Sequence, residues 1–228
     1  MRYIKKGHEP QSFTDWKAKE NDDWKPTYDN LQGQEKLDVH KALLEEQGYT
    51  CCYCGISIIK DISHIEHLHP QNSQDSNQPK DLELALQFSN LLASCGFSEG
   101  YKISDPNYND VLHCLKHCGC RRGNNSLAIS PLQVDCAEFF RYPYDGGDDV
   151  EIRPVEDTDK KQFAAHTIKT LNLNETRLMA MRGGAVKGAL QVTEGLTQEE
   201  IALFIKSYEQ PNQQAFSFAI IYILKQYL

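Results

Sequence analysis

The sequence lacks the hydrophobic segments that carry proteins across or into membranes. The first residues are charged and no apolar stretch follows them, so we predict no secretory signal. The most apolar run, residues 216–224, is too short to span a bilayer. We therefore expect a cytoplasmic protein without a membrane partner.

A surplus of basic residues is also missing. The formal net charge is -8, and the sequence pI is about 5.5. A free-standing, high-affinity nucleic-acid binder normally presents a basic surface, so the composition argues against that class of protein. Any contact with nucleic acid must then depend on local positive patches, on a metal ion or on a partner.

Internal repeats and low-complexity tracts are absent too, whereas cysteine is plentiful, with 8 residues. Thiols in a reducing cytoplasm rarely pair as disulfides, and several of these cysteines are close to histidines in the sequence. A chain of 228 residues, 40% of them hydrophobic, can bury a core without disulfides. The cysteines therefore predict a metal site, and zinc is the first candidate.

The hydrophobic pattern predicts a mixed α+β chain in which strands lie between helices. The final segment is apolar nearly all round and is expected to be buried. Thr197 and Glu200 have the spacing of a capping box ahead of a helix. The predicted elements are an extended arm at 1–30, a helix at 31–47, strands at 56–68 and 82–92, and helices beyond a connector at 142–149.

The first two candidate metal ligands form a C-x-x-C turn. Cys51 and Cys54, followed by Gly55, have the spacing by which one knuckle presents two thiolates to a tetrahedral zinc. Later cysteines supply the remaining ligands. We assign one structural zinc to four cysteines, Cys51, Cys54, Cys95 and Cys118. Cys120 is an alternative to Cys118.

Two further interpretations apply to the other cysteines. Free cysteines are often buried as small hydrophobic residues, which is the preferred interpretation for Cys52, Cys114 and Cys136. A local metal box is the alternative, although it would leave the C-x-x-C turn without partners. That box would consist of His113, Cys114, His117 and Cys118.

An acid and an imidazole stand side by side just before Pro70. Adjacent residues of a regular strand point to opposite faces, so Glu66 and His67 reach one site only near a bend, which Pro70 makes plausible. An acid, a neutral imidazole and a divalent ion are the groups that metal-assisted phosphodiester hydrolysis needs. His64 is interpreted as a strand residue that supports the metal-side face, and His40 as a structural residue.

The order of these motifs resembles the HNH nucleases with a ββα-metal fold. The resemblance covers about residues 49–125 and rests on C-x-x-C, IEH-x-x-P, SNLL-x-SC and CGCRRGN. It implies a small HNH module, pinned by the four-cysteine zinc knuckle, inside a mainly α-helical chain. It further implies that His67 is the general base, that Glu66 binds a catalytic Mg²⁺ or Mn²⁺, and that Asn90 holds the loop between the strands by hydrogen bonds.

One position departs from the family. The family usually has His or Asn directly after the last zinc cysteine as a further metal ligand, and this chain has Gly119 there. Asn124 or Asn125 could reach back and fill the vacancy, and we expect Asn124 to do so. Arg121 and Arg122, beside the knuckle, are expected to contact substrate phosphates.

Further stretches of the sequence limit the resemblance to one group of HNH nucleases. The stretches MRYIKKG, SHIEHLHPQ and LNLN look like the HNH subunits (PtuB) of Septu antiphage systems, which are also found as effectors beside some retron reverse transcriptases. The implied partners are a PtuA-like ATPase, nucleic acid and, beside a retron, the reverse transcriptase with its DNA. The implied domains are an arm and helix (1–48), the nuclease module (49–141) and a helical region that docks the partner (142–228).

Three functions remain open on the sequence. The first is an HNH endonuclease that cleaves DNA as the effector of a bacterial antiphage system. The second is cleavage of RNA, for instance a transfer RNA, because the site chemistry needs no 2'-hydroxyl. The third is a zinc-stabilised adaptor without catalysis, which the glycine at position 119 would favour.

Overall fold

Helices make up most of the fold, and two small antiparallel sheets lie among them. The computed structural model describes residues 1–71, 81–97, 113–156, 158–209 and 214–228. The helices are α1 (Gln11–Lys17), α2 (Gly33–Glu46), α3 (Leu82–Ala85), α4 (Cys118–Arg122), α5 (Thr158–Leu171), α6 (Thr176–Thr193), α7 (Gln198–Tyr208) and α8 (Ser217–Leu224). The strands are β1 (Ser63–His67), β2 (Leu91–Cys95), β3 (Phe140–Arg141) and β4 (Arg153–Pro154). The predicted mixture of helix and strand is confirmed.

The first thirty residues do not form the extended arm predicted for them. They contain α1, which packs on α2 and buries Phe13 and Trp16. The ring of Trp16 meets that of Trp24 edge to face at 5.4 Å, and the amino group of Met1 donates to the hydroxyl of Tyr142. The prediction was wrong because irregularly spaced aromatic residues bury themselves through tertiary contacts, which leave no periodic signal in the sequence.

Helix α2 confirms the prediction of a helix at 31–47 and delivers the chain to the C-x-x-C turn. Its buried face includes Val39, Leu43 and Leu44. Gly48 follows the helix with a positive φ of 61°, a backbone conformation that glycine adopts without strain. His40 is a structural residue, as expected, because its Nε2 lies 2.9 Å from the hydroxyl of Ser63 and ties α2 to β1.

Strands β1 and β2 pair antiparallel, with Ser63 opposite Cys95 and His67 opposite Leu91. The first predicted strand is shorter than expected because a 3-10 turn, Lys60–Ile62, precedes it. The second prediction was wrong over its first half, where α3 forms. The side chain of Asp81 accepts a hydrogen bond from the Leu84 N–H, and this N-cap favours a helical turn over the strand that alternating residues suggested.

Helix α8 is buried in the core, as its apolar sequence predicts. Ala219, Ile220 and Ile223 are at most 2% exposed. The helix packs directly on the C-x-x-C turn, since a Cβ atom on Gly55 would lie 2.3 Å from the ring of Phe218. A glycine is therefore required at this turn for contact with α8 as well as for its φ of 73°.

Helix α7 begins with the predicted capping box. The Thr197 side chain accepts a hydrogen bond from the Glu200 N–H, and the Glu200 carboxylate accepts one from the Thr197 N–H. Throughout the described ranges, the helices are too short or too polar to cross a membrane.

Candidate metal centre and active site

Four buried cysteines converge between the C-x-x-C turn, the end of β2 and the start of α4. One sulfur from each lies within 4.8 Å of the others, and we call this set, Cys51, Cys54, Cys95 and Cys118, the thiol cluster. The sulfurs of Cys54 and Cys95 are 3.8 Å apart. Two sulfurs bound at about 2.3 Å to one tetrahedral zinc are separated by about 3.8 Å. The thiol cluster could therefore hold a metal ion such as zinc.

Local backbone geometry aims these thiols at one another. The Gly55 N–H donates to the Cys51 carbonyl and closes the turn, while the Cys95 N–H donates to the Cys51 sulfur at 3.4 Å. Cys118 has a φ of 55°, which is unusual for a residue with a side chain. Such backbone strain persists where the surroundings fix it, and here it sits at a candidate ligand.

The structure separates Cys118 from its alternative. Cys118 is fully buried in the thiol cluster, whereas Cys120 is exposed. A second group, Cys95, Cys114 and His117, also lies within 4.8 Å and shares one cysteine with the first. The His113 side chain, which completes the alternative metal box, lies outside the described residues.

Glu66 lies on β1 and faces α4. Its Oε1 accepts hydrogen bonds from Arg122 at 2.6 Å and from the Tyr53 hydroxyl at 3.0 Å. Its Oε2 is 3.4 Å from Nε2 of His64. Burial by itself would raise the pKa of Glu66, but the hydrogen bond from His64 and the charge of Arg122 lower it below its ordinary value. The carboxylate is therefore charged, with one oxygen anchored and the other directed at His64.

His67 is held by both ring nitrogens. Its Nε2–H donates to the carbonyl of Ala85 at 3.1 Å, and the Gln71 amide nitrogen lies 3.0 Å from Nδ1 and 3.2 Å from Nε2. Because Nε2 carries the proton, Nδ1 is the nitrogen that can accept from Gln71. The ring of Tyr28 packs edge-on at a centroid distance of 4.3 Å. Burial lowers the pKa of His67, so the imidazole is neutral at neutral pH and its Nδ1 carries a lone pair.

Among the residues that the structure describes, the side chains of Glu66 and His67 share no partner. The carboxylate contacts Tyr53, Arg122 and His64, whereas the imidazole contacts Tyr28, Gln71 and the Ala85 carbonyl. The two residues are neighbours in a regular strand, so their side chains leave it on opposite faces. The bend at Pro70 comes too late to bring them together.

The beginning of α4 packs closely on β1. Gly119 is buried there, and a Cβ atom on it would lie 2.5 Å from Oε2 of Glu66 and 2.9 Å from Nε2 of His64. We call this contact of Gly119 with the two side chains the Gly119 cradle. No described residue gives the buried Nδ1 of His64 a hydrogen bond. The sequence analysis placed His64 on the metal-side face of the strand but did not single out its contact with Glu66.

Asn90 ties the segment after β1 to the beginning of β2. Its Oδ1 accepts from the His69 N–H at 2.7 Å, and its Nδ2 donates to the Leu84 carbonyl at 3.0 Å. The side chain is buried, 3% exposed. These are loop-holding bonds of the kind that the family resemblance implied for this residue.

Not all of the residues at the end of α4 and just after it match their predicted roles. Arg122 is 1% exposed and donates to Glu66 and to main-chain carbonyls, including that of His67 at 2.8 Å. A substrate phosphate has no access to it, so that prediction is wrong. Arg121 is exposed. Asn124 is exposed as well and makes no hydrogen bond to Glu66 within the described ranges, while Asn125 bonds back to Arg122.

A cavity of about 330 Å³ adjoins the strand on the side of α2. Its lining includes His64 and two basic side chains, Lys36 and Lys60. The ammonium group of Lys36 lies 5.0 Å from the ring centre of Tyr28, the same ring that packs on His67. The basic groups that line this cavity are therefore lysines of α2 and of the turn before β1.

Comparison of the chain with protein-family models and with curated proteins gives no match to either.

Proposed function

We propose that this chain is a metal-dependent HNH endonuclease that hydrolyses phosphodiester bonds, with DNA as the favoured substrate. His67 carries the proposal. Its imidazole is neutral, its Nε2–H is fixed by the Ala85 carbonyl, and its Nδ1 can take a proton from water in place of the Gln71 contact. A general base needs this combination of fixed tautomer and available lone pair.

The surroundings of His67 support the same proposal. Two antiparallel strands are followed by a short helix, α4, whose first residue belongs to the thiol cluster. A structural zinc in that cluster would pin α4 against the hairpin. Glu66 then faces α4 with a charged oxygen that can bind a divalent ion.

Glu66 and His67 leave β1 on opposite faces. The proposal therefore requires β1 to bend at this pair when metal and substrate bind, which would bring both groups to one phosphate. Glu66 would hold the divalent ion, which would supply charge stabilisation at the phosphate and the leaving oxygen. His67 would take the proton from the attacking water. Arg122 and Tyr53 keep the Glu66 carboxylate in place.

The biological setting is proposed from the sequence resemblance alone. The chain acts as the effector of a bacterial antiphage system together with a PtuA-like ATPase. The net charge of -8 is compatible with this setting, since a partner would supply the nucleic-acid surface that the chain lacks. Lys36 and Lys60 in the cavity provide a local phosphate contact.

The test is cleavage of labelled DNA and labelled RNA by the zinc-loaded chain, with Mg²⁺ or Mn²⁺ and with any ATPase that co-purifies. Replacing His67 by Ala should slow cleavage by about 10²- to 10⁴-fold, the usual contribution of a general base. His166→Ala, a change at an exposed histidine of α5, is the matched control. Unchanged cleavage by His67→Ala, at equal zinc content, would reject the nuclease. Faster cleavage of RNA would select the second substrate class.

A further inference from the structure

The Gly119 cradle contains a histidine, His64, whose ring nitrogens lack the hydrogen bonds that a buried structural histidine usually has. Nδ1 of His64 is buried without a partner among the described residues, and Nε2 has only Oε2 of Glu66, at 3.4 Å. That separation is longer than the usual range of about 2.7 to 3.2 Å for a nitrogen–oxygen hydrogen bond. Buried polar groups are normally well bonded. His64 is thus joined to the Glu66 carboxylate by one long hydrogen bond and has no other partner among the described residues.

The same separation fits two ligands of one metal ion. Donor atoms at about 2.1 Å from a metal, with an angle between about 90° and 109°, lie about 3.0 to 3.4 Å apart. The two atoms belong to residues i and i+2 of β1, whose side chains share one face of the strand. Oε1 of Glu66 is occupied by Arg122 and Tyr53, which leaves Oε2 for an ion.

A side chain at position 119 would collide with both donor atoms. A methyl group there would approach them to within 3.0 Å, at 2.5 Å from Oε2 and 2.9 Å from Nε2. Gly119 lies in α4 with an ordinary φ, so alanine would suit the helix better than glycine. The glycine is therefore explained by the close approach of α4 to the two donor atoms rather than by the backbone.

We infer that His64 and Glu66 together bind the divalent ion, so that a nitrogen ligand from β1 replaces the ligand that Gly119 cannot supply from α4. This inference rests on the proposed nuclease function. It replaces Asn124, the second metal ligand predicted from the sequence, with His64. A mixed imidazole–carboxylate site favours a transition ion such as Mn²⁺ over Mg²⁺, which prefers oxygen ligands throughout. The thiol cluster, being all sulfur, retains zinc in the presence of Mn²⁺.

The test is Mn²⁺ binding to the zinc-loaded full chain, followed by electron paramagnetic resonance. Continuous-wave spectra measure the free ion and hence the dissociation constant, and pulsed spectra detect a histidine nitrogen bound to the metal. The wild-type chain should show this nitrogen coupling. His64→Gln and His64→Ala should remove it and weaken binding by more than about 100-fold, the upper end of the effect of losing a partner of a metal ligand.

Glycine substitutions supply an independent arm. Gly119→Ala should weaken Mn²⁺ binding to a similar extent, because its methyl group would collide with both donor atoms. Gly184→Ala in α6 is the matched control, since a Cβ there meets open space. His166→Ala controls for the loss of a histidine. Zinc content and far-UV circular dichroism show that each variant remains folded.

Several results would overturn the inference: no Mn²⁺ binding by the wild-type chain, nitrogen coupling that survives in both His64 variants, or unchanged binding by Gly119→Ala. The His67→Ala variant separates the inference from the proposed function. If it keeps Mn²⁺ coupling and also keeps cleavage, the metal site stands and His67 is not the base. If cleavage requires His67 but Mn²⁺ binding is the same with and without His64, the nuclease function is supported and the assignment of His64 as a ligand is wrong.

Discussion

Replacing Arg122 by Met tests how the candidate site is held together. Arg122 is 1% exposed, and its guanidinium donates to Oε1 of Glu66 at 2.6 Å. It also donates to the Tyr53 hydroxyl at 3.2 Å and to the carbonyls of His67 and Leu68. Methionine can fill much of the same volume, but it leaves a buried carboxylate without its cation.

The expected loss follows from that carboxylate. Removing one member of a buried ion pair typically costs about 3 to 5 kcal/mol, because the remaining charge is uncompensated. A domain is commonly stable by about 5 to 15 kcal/mol, so Arg122→Met should lower the free energy of unfolding by a large share of the total. Arg121→Met, at the exposed neighbour, should change it by less than about 0.5 kcal/mol.

Denaturant unfolding of the zinc-loaded chain, followed by circular dichroism, measures both variants. The double variant Arg122→Met with Glu66→Gln removes the uncompensated charge and should recover at least about 1 kcal/mol of the loss, as residues in contact commonly couple by this amount. Recovery of soluble protein by the double variant is the readout if the single variant does not fold. Equal unfolding midpoints for Arg121→Met and Arg122→Met would refute the reasoning.

Three other changes test separate parts of the fold. Chelation of zinc, or Cys118→Ser, should remove the bound metal and weaken the far-UV circular dichroism signal, because the metal holds the region around the thiol cluster together. Cys120→Ser should leave the zinc content unchanged, because that thiol is exposed. Asn90→Ala should cost about 1 to 3 kcal/mol in denaturant unfolding, since it removes the hydrogen bonds to the His69 N–H and the Leu84 carbonyl, each worth about 0.5 to 1.5 kcal/mol. Thr197→Ala should cost about 1 kcal/mol, measured in the same way, by removing the cap of α7. A stability equal to that of the wild-type chain would contradict either of the last two predictions.

The thiol cluster could be predicted because its signal is carried by residue type and spacing. In a reducing compartment, a C-x-x-C turn followed by distant cysteines is typical of a metal site, since the thiols do not pair as disulfides. Helix α2 and the cap of α7 were predictable for a similar reason, because local periodicity and capping residues determine them. Spacing alone left Cys118 and Cys120 as alternatives, and only the fold shows that Cys118 lies among the other three thiols.

The failures share a different cause, which is that distant parts of the chain decide the outcome. Arg122 resembles a phosphate contact in sequence because it follows a knuckle and another arginine. Its actual acceptors include Glu66 and the His67 carbonyl, which precede it by 56 and 55 residues. The segment 82–88 alternates like a strand, but a single cap at Asp81 makes its first turn helical. The pattern of apolar residues in the sequence shows neither the distant acceptors of Arg122 nor the effect of the cap at Asp81.

The order of residues in β1 determines which of its side chains can meet in one site. His64 and Glu66 share one face, with their donor atoms 3.4 Å apart, while His67 points away and is held by Ala85. In the proposed nuclease, this alternation would keep His67 away from an ion held by His64 and Glu66. Joint action of the base and the ion on one phosphate would then require β1 to bend between Glu66 and His67. The sequence H-x-E-H thus puts the proposed ligands and the proposed base on different faces of one short strand.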